Sequence, residues 1–512
     1  MSAVIMGLFQ NQTEGVLSFM RRLQKKQSAG GSRAAQLVFT LLMLAGAALL
    51  LWRLAATQML LPLHLAALVL IGLLAALVTF LLTRTPARRV RFVLGVLWTI
   101  IWLALYAVGG WYVTQGQNAL LNISQTETEV SNVSIYVLEE DPAQTLEDAA
   151  DYTFGIMAEL DRENTDAALA SAGEQLGSTL TTAEYAGPTQ LVDGLLDGSC
   201  GAIVLNQAYL DLFDELEGYE DIPDRLRALS TEQVETAVED QPEAGETETL
   251  SAGEVLTVYI SGSDSRDSAI SARARSDVNI LASINPATRQ VLLISTPRDY
   301  YVPLSISGGV PDKLTHAGIY GVQVSMDTLA MLYGVDVNYF FRVNFTGFVD
   351  IIDALGGVDV YSEYTFDAGN YHFDEGYNTV DGAAALAFCR ERHAFASGDR
   401  QRGRNQMALI QAVIRKAASP AILSNYSQVL ESAAGCMETN ISYDTIAALV
   451  RDQLENGGDW NVVTYSVDGT GDSQVPYSLS SRAYVMIPDT DTVDTAKELL
   501  AQVANGERLT QP

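Results

Sequence analysis

Three long apolar runs near the N-terminus, at about 34–52, 59–82 and 92–113, limit what this chain can fold into. Each is close to the ~20 residues that carry a helix across a bilayer core. The connection after the second run holds Arg84, Arg88, Arg89 and Arg91, whereas the connection after the first holds only Arg53. Positive loops stay on the cytoplasmic side. The expected path is a cytoplasmic N-terminus at 1–33, three transmembrane helices, and an extracytoplasmic remainder beyond residue 113. Trp111 and Tyr112 close the third run, as interfacial aromatics do. A cleaved signal peptide would show one shorter apolar segment, not three spans with an arginine-rich loop. The expected location is therefore the cell membrane, as a multi-pass protein.

Charge divides the chain at the same place. Of 31 basic and 62 acidic residues, ten and one fall at or before Val113, which leaves 21 against 61, a net −40, for the remainder. That balance excludes a general nucleic-acid surface. Cys200, Cys389 and Cys436 are too scattered for a disulfide framework or a zinc site, and read as small buried residues. Strand-like 132–138 and 202–205, with helix-like 145–160, 190–198 and 209–217, predict a small α/β accessory domain at 128–228. The acidic stretch 229–253 reads as a linker. From 254 to 505, strands at 255–260, 278–284, 291–295, 339–343, 358–361, 461–467 and 482–487 are expected among helices within 314–333 and at 346–355, 382–388, 401–418, 421–434, 443–453 and 493–503. The expected class is α/β or α+β, a mixed sheet flanked by helices.

Acids and arginines stand at the ends of these strands, where a sheet presents side chains to a ligand. Asp264 follows the strand at 255–260, Arg275 and Asp277 precede the next, and Arg298 and Asp299 follow the third. Beyond the apolar runs the chain has eighteen arginines, and ten of them fall within 266–298 and 390–404. On so acidic a molecule an anion gains nothing from long-range steering and has to be captured by arginines that converge. The planar guanidinium matches phosphate oxygens two at a time. Arg275, Arg298, Arg390, Arg392 and Arg402 are therefore assigned to an anion, while Arg273, Arg289 and Arg400 are read as ordinary partners of acids. Arg402 and Gln406, four apart on a helix, share a face. Asp264 and Asp277 suit Mg2+, which takes hard oxygen ligands and keeps several waters. The sequence has no His/Cys metal spacing, no nucleophile elbow and no phosphate-cradling glycine loop.

In chain order GSDSR, RSD, LISTPRDYYV, KLTHAGIYG, VNFTGFVDIIDALGGVDV, DGAAALAFCRERH and GDRQRGRNQ resemble the LytR–CpsA–Psr family, strongly over 254–420 and loosely to 504. The resemblance implies that family's mixed sheet and a cell-wall phosphotransferase. Such an enzyme moves a glycopolymer, a teichoic acid or a capsule, from a polyprenyl-pyrophosphate carrier to peptidoglycan. It also implies Mg2+ beside Asp264 and Asp277, and a pyrophosphate held by Arg275, Arg298, Arg390, Arg392, Arg402 and Gln406. Asp277, Arg298 and Arg275 would stand closest to the chemistry, with Asp299 orienting Arg298 or shaping its turn. An apolar tunnel for the lipid would draw on residues such as Phe348, Ile352, Met407 and Ile410. Two features depart from the family pattern. Asn405 stands where many members have arginine, and three membrane helices plus the accessory domain, whose partner is unknown, replace a single anchor. The competing readings are a polyprenyl-pyrophosphate phosphatase, with water as acceptor, and a non-catalytic regulatory or binding membrane protein.

Overall fold

The structure, a computed structural model, describes residues 34–84, 89–124, 128–213, 216, 218–237, 254–263, 273–396, 398–417, 428–429, 432, 436–479 and 481–510. Asp264 and most of the helix expected at 421–434 lie outside the described residues.

The N-terminal unit is built from helices α1 (Ala34–Ala56), α2 (Pro62–Thr83) and α3 (Arg89–Ser124), each long and apolar enough to cross a membrane. Pro62 opens α2 in its first turn, where a missing N–H is harmless. Met43, Ala47, Ala75, Ala76 and Tyr106 pack together, the alanines letting backbones approach. Thr79, Thr83 and Thr99 donate to the carbonyls four residues back at 3.0, 2.7 and 2.8 Å, which satisfies each hydroxyl inside its own helix. Helix α3 runs past the expected 113 to Ser124, and its 36 residues exceed what a span requires.

The accessory domain comprises β1 (Thr128–Leu138), β2 (Thr153–Met157), α4 (Arg162–Leu176), β3 (Thr181–Tyr185), α5 (Pro188–Leu196), β4 (Ala202–Asn206), α6 (Leu210–Phe213), α7 (Ile222–Arg225) and β5 (Leu226–Ala237). Its sheet runs β3-β2-β4-β1-β5, with β2 parallel to both neighbours and β1 antiparallel to both of its own. Two expectations are corrected here. The stretch 145–160 is one 3₁₀ turn, Glu147–Ala149, followed by strand β2, not a helix. Strand β2 is buried along Phe154–Met157, and a short apolar run buried on both faces has no period that separates it from a helix. The polar stretch after 228 is not yet linker, because β5 pairs with β1 from Leu226 to Ala237. As an edge strand β5 shows polar residues to water, and that composition hides it.

The outer domain holds β6 (Leu256–Ser263), β7 (Val278–Asn285), β8 (Gln290–Ser295), β9 (Tyr301–Pro303), β10 (Pro311–Lys313), α8 (Leu314–Ala317), α9 (Val322–Tyr333), β11 (Tyr339–Asn344) and α10 (Phe345–Ala354). It continues with β12 (Val358–Ser362), β13 (Phe366–Ala368), β14 (Tyr371–Phe373), β15 (Gly376–Val380), α11 (Gly382–Arg390), α12 (Asp399–Ala417) and β16 (Met437–Thr439). After helix α13 (Tyr443–Asn456), most of which belongs to the N-terminal unit, β17 (Asn461–Ser466), β18 (Gly469–Gln474), β19 (Ala483–Pro488) and α14 (Thr490–Ala504) complete it. Among the described residues the main sheet runs β16-β11-β6-β7-β8-β17, with β6–β11 and β8–β17 parallel and the other pairs antiparallel. This is the expected mixed sheet. One core joins Tyr259, Leu281, Leu292 and Ile294 to Met326, Leu329, Leu500 and Val503 of α9 and α14. A second joins Ile352, Phe388 and Leu409 of α10, α11 and α12 to Val360, Phe366 and Phe373 of the short ribbons. Helix α12 also packs on β7, β8 and β17, and this carries its first turns over the strand ends.

Candidate active site

The segment leading into β7 is extended, so its side chains alternate. Ser276 points inward, is buried, and bonds the hydroxyls of Tyr259 and Ser261 at 2.8 and 2.7 Å. Arg273, Arg275 and Asp277 occupy the alternate positions. The backbone is pinned on its inner edge: Ala274 donates to Gly318 O at 3.3 Å, Ser276 to Thr315 O at 3.2 Å and Asp277 to Gly262 O at 2.9 Å. Gly318 permits this approach, since a Cβ there would stand 2.4 Å from the Ala274 carbonyl oxygen.

Arg298 lies just past β8, in the turn closed by Tyr300 N to Pro297 O at 3.1 Å. Its Nη1 donates to Oδ1 of Asp277 at 2.7 Å, and its Nε stands 3.7 Å from Asp299 Oδ2. Asp299 is in turn 3.5 Å from the buried Lys313 ammonium. Asp299 is thus an ion-pair partner of both Arg298 and Lys313. From α12, Arg402, Gly403 and Gln406 face the same place, and one cleft is lined by Asp277, Asn279, Ser295, Thr296, Arg298, Arg400, Arg402, Gln406 and Ser466.

Of the residues assigned from sequence, Asp277, Arg298, Arg402 and Gln406 thus meet in one cleft. Arg275 does not line it. Its Nε points toward Asp211 of the accessory domain at 3.9 Å. Arg390 and Arg392 are exposed at and beyond the end of α11, outside the cleft lining. Arg390 nonetheless shares a neighbourhood with Arg402, because both guanidinium groups act on Cys389. Burial dominates there and pushes the Cys389 thiol up to about 12. Arg400, read from sequence as an ordinary partner of an acid, does pair with Asp468, yet it also lines the cleft. Its place in the GDRQRGRNQ run was the available signal. Ser466 carried none, because β17 reaches the site only through parallel pairing with β8. Asn405 is buried and donates to Phe388 O at 3.3 Å, and Arg404 is taken by Glu363 at 3.1 Å. The position that departs from the family pattern therefore serves packing between α11 and α12. Ile352 and Met407, suggested for a lipid tunnel, are buried, Ile352 within the second core.

Among the described residues no three His, Cys, Asp or Glu side chains converge as a ready metal cage. Beside Asp277 the cleft is lined by the hydroxyl residues Ser295 and Ser466, while Asn279 Oδ1 and Thr296 Oγ1 are taken by Tyr259 and Tyr333. Such a set fits a hard cation that keeps most of its water.

The LytR_cpsA_psr family model matches residues 225–501, more than half of the chain. The chain belongs to the LytR–CpsA–Psr family. Among its relatives is the polyisoprenyl-teichoic acid–peptidoglycan teichoic acid transferase TagU of Oceanobacillus iheyensis, 33% identical over 227 residues, which cover 43% of this chain and 69% of the relative. The Enterococcus faecalis protein of that name is 31% identical over 223 residues, covering 43% and 73%. The crystal structure of Bacillus subtilis TagU is 27% identical, with a TM-score of 0.39, over 51% of this chain and 100% of that one. The LytR–CpsA–Psr match begins inside the accessory sheet, at the start of β5, and takes in every cleft residue named above.

Proposed function

We propose that this LytR–CpsA–Psr protein transfers a glycopolymer from a polyprenyl-pyrophosphate carrier to peptidoglycan, at the cleft between β7, β8, β17 and α12. The Asp277–Arg298 pair facing Arg402 and Gln406 carries the reading. Guanidinium groups converging on a net-acidic protein are a device for holding a compact polyanion. The names of the relatives support the same substrate class. A sugar hydroxyl attacks the phosphorus nearest the glycan. The new O–P bond forms as the bond to the bridging oxygen breaks, and polyprenyl phosphate leaves. Arg298 and Arg402 neutralise charge on the phosphoryl oxygens, and Gln406 donates to one of them. Most of the catalysis is positioning and electrostatics, as in other phosphoryl transfers. Asp277 is committed to Arg298, so the hydroxyl proton goes to another acceptor. Asp277 would also hold Mg2+ through its remaining oxygen, with Asp264 as a further ligand. An ion bound there would supply additional charge neutralisation at the pyrophosphate.

The three apolar helices anchor the protein in a membrane, where the lipid carrier resides. In the orientation proposed here, the N-terminus is cytoplasmic and the cleft lies outside. The test is transfer by the purified full chain from a lipid-linked glycopolymer to peptidoglycan, with products identified. Arg298→Ala and Asp277→Ala should each lower transfer by about a hundredfold or more without loss of fold. Wild-type transfer by either variant would remove the cleft from the chemistry. Release of free glycan phosphate with no attachment to acceptor would make the protein a phosphatase instead.

A further inference from the structure

Two of the three charged side chains on the segment before β7 are taken up by the accessory domain. Arg273 Nη1 donates to Asp161 Oδ1 at 2.7 Å, Arg275 points to Asp211, and Asp277 pairs with Arg298 in the cleft. Asp161 is set apart by how it is held. Its side chain is 1% exposed, and it also accepts from Asn164 at 2.6 Å and Asn206 at 3.0 Å, both buried. Its backbone is left-handed, with φ 54°, which non-glycine residues rarely adopt. Burial raises its pKa against the pull of Arg273. Neither a buried ion pair nor a left-handed aspartate is an efficient source of stability. What they supply is a single geometry. Around the pair the two domains share one core, in which Tyr209, Leu212 and Phe213 pack with Ile319, Leu479 and Ala483. Tyr209 meets Tyr320 edge-to-face at 6.2 Å.

We propose that Asp161 is a positioning residue for the cleft. Through Arg273 it fixes the 273–277 segment, and with it the Asp277 carboxylate, so the accessory domain is part of the transfer site and not an independent module. The claim of a consequence for transfer rests on the function proposed above, whereas the claim about the segment does not. Gly318 pins the segment from inside and Asp161 from outside, which leaves Asp277 one place to stand.

The test is hydrogen–deuterium exchange on the full-length protein in detergent, run beside the transfer assay. In Asp161→Asn the amides of Ala274, Ser276 and Asp277 should exchange at least about tenfold faster, while those of β2 and β4 keep their protection. Transfer should fall through kcat, with KM for the lipid-linked donor little changed. Arg273→Gln should reproduce both effects from the other domain, and serves alone if Asp161→Asn does not fold. The double variant should be no worse than the poorer single, because both remove one interaction. Unchanged exchange across 274–277, or losses that add in the double variant, would overturn the proposal. A wild-type protein that transfers nothing would count against the proposed function only, since exchange still decides whether Asp161 holds the segment.

Discussion

Arg298 owes its direction to two carboxylates, Asp277 at 2.7 Å and Asp299 at 3.7 Å from different guanidinium nitrogens. A lysine keeps the charge and loses the fork. Arg298→Lys should therefore fold normally and transfer at least about tenfold more slowly, as read from initial rates on a lipid-linked donor. Cys389 shows the opposite case, a reactive atom kept inert. With its thiol pushed up to about 12 by burial, it should resist thiol reagents at pH 8 in the folded protein and react once denatured. At the surface, the hydrogen bond that His372 Nδ1 donates to Asp367 at 2.6 Å raises the His372 pKa above its ordinary value. A raised histidine contributes stability below its unfolded pKa and loses it as pH rises through the folded one. NMR titration should show that elevated midpoint, and Asp367→Asn should lower it.

At the scale of elements, strands β6, β7 and β8 and helices α10, α11 and α12 were legible because each has its own period, cap or breaker. Gly356 and Gly357, both with positive φ, follow α10 as the chain leaves the helix. Strand β2 was not legible, since burial on both faces erases alternation. Strand β5 was not either, because an edge strand of polar residues and a linker share one composition. Of the short ribbons, the extended stretch of β12 was legible, whereas β13, β14 and β15 escaped, with contacts such as Phe366 on Phe373 at 5.0 Å joining β13 to β14. Close packing between elements gives a direct test. In Gly318→Ala a methyl would meet the Ala274 carbonyl at 2.4 Å, and moving that backbone should cost about 1–3 kcal/mol. Chemical denaturation should show the loss, and transfer should fall further than stability alone predicts because Asp277 moves with the segment.

For the whole molecule, the site was half legible. Both arginine windows stood out because an acidic protein has few cations to place, and the two windows do meet. Which arginines face the cleft depended on features outside the windows. Arg275 is drawn toward Asp211 of the accessory domain, and Arg400 enters because α12 begins over the sheet ends. The proposed orientation is open to labelling in intact cells. A cysteine introduced for exposed Ser473 should react with an impermeant reagent, whereas one placed at Ala87, in the arginine-rich connection, should not.

The parallel pairing of β8 with β17 has a consequence for when this protein becomes active. Gln290 and Asn461, bonded at the start of that pairing, are 171 residues apart in the chain. Contacts so distant form late, after the intervening loop has been closed at an entropic cost. Ser466 reaches Asp277 and Arg298 only then. A chain made only as far as β8 has its apolar helices and its first arginines, but no complete cleft. In the function proposed above, competence for transfer would arrive only once β17 has joined the sheet.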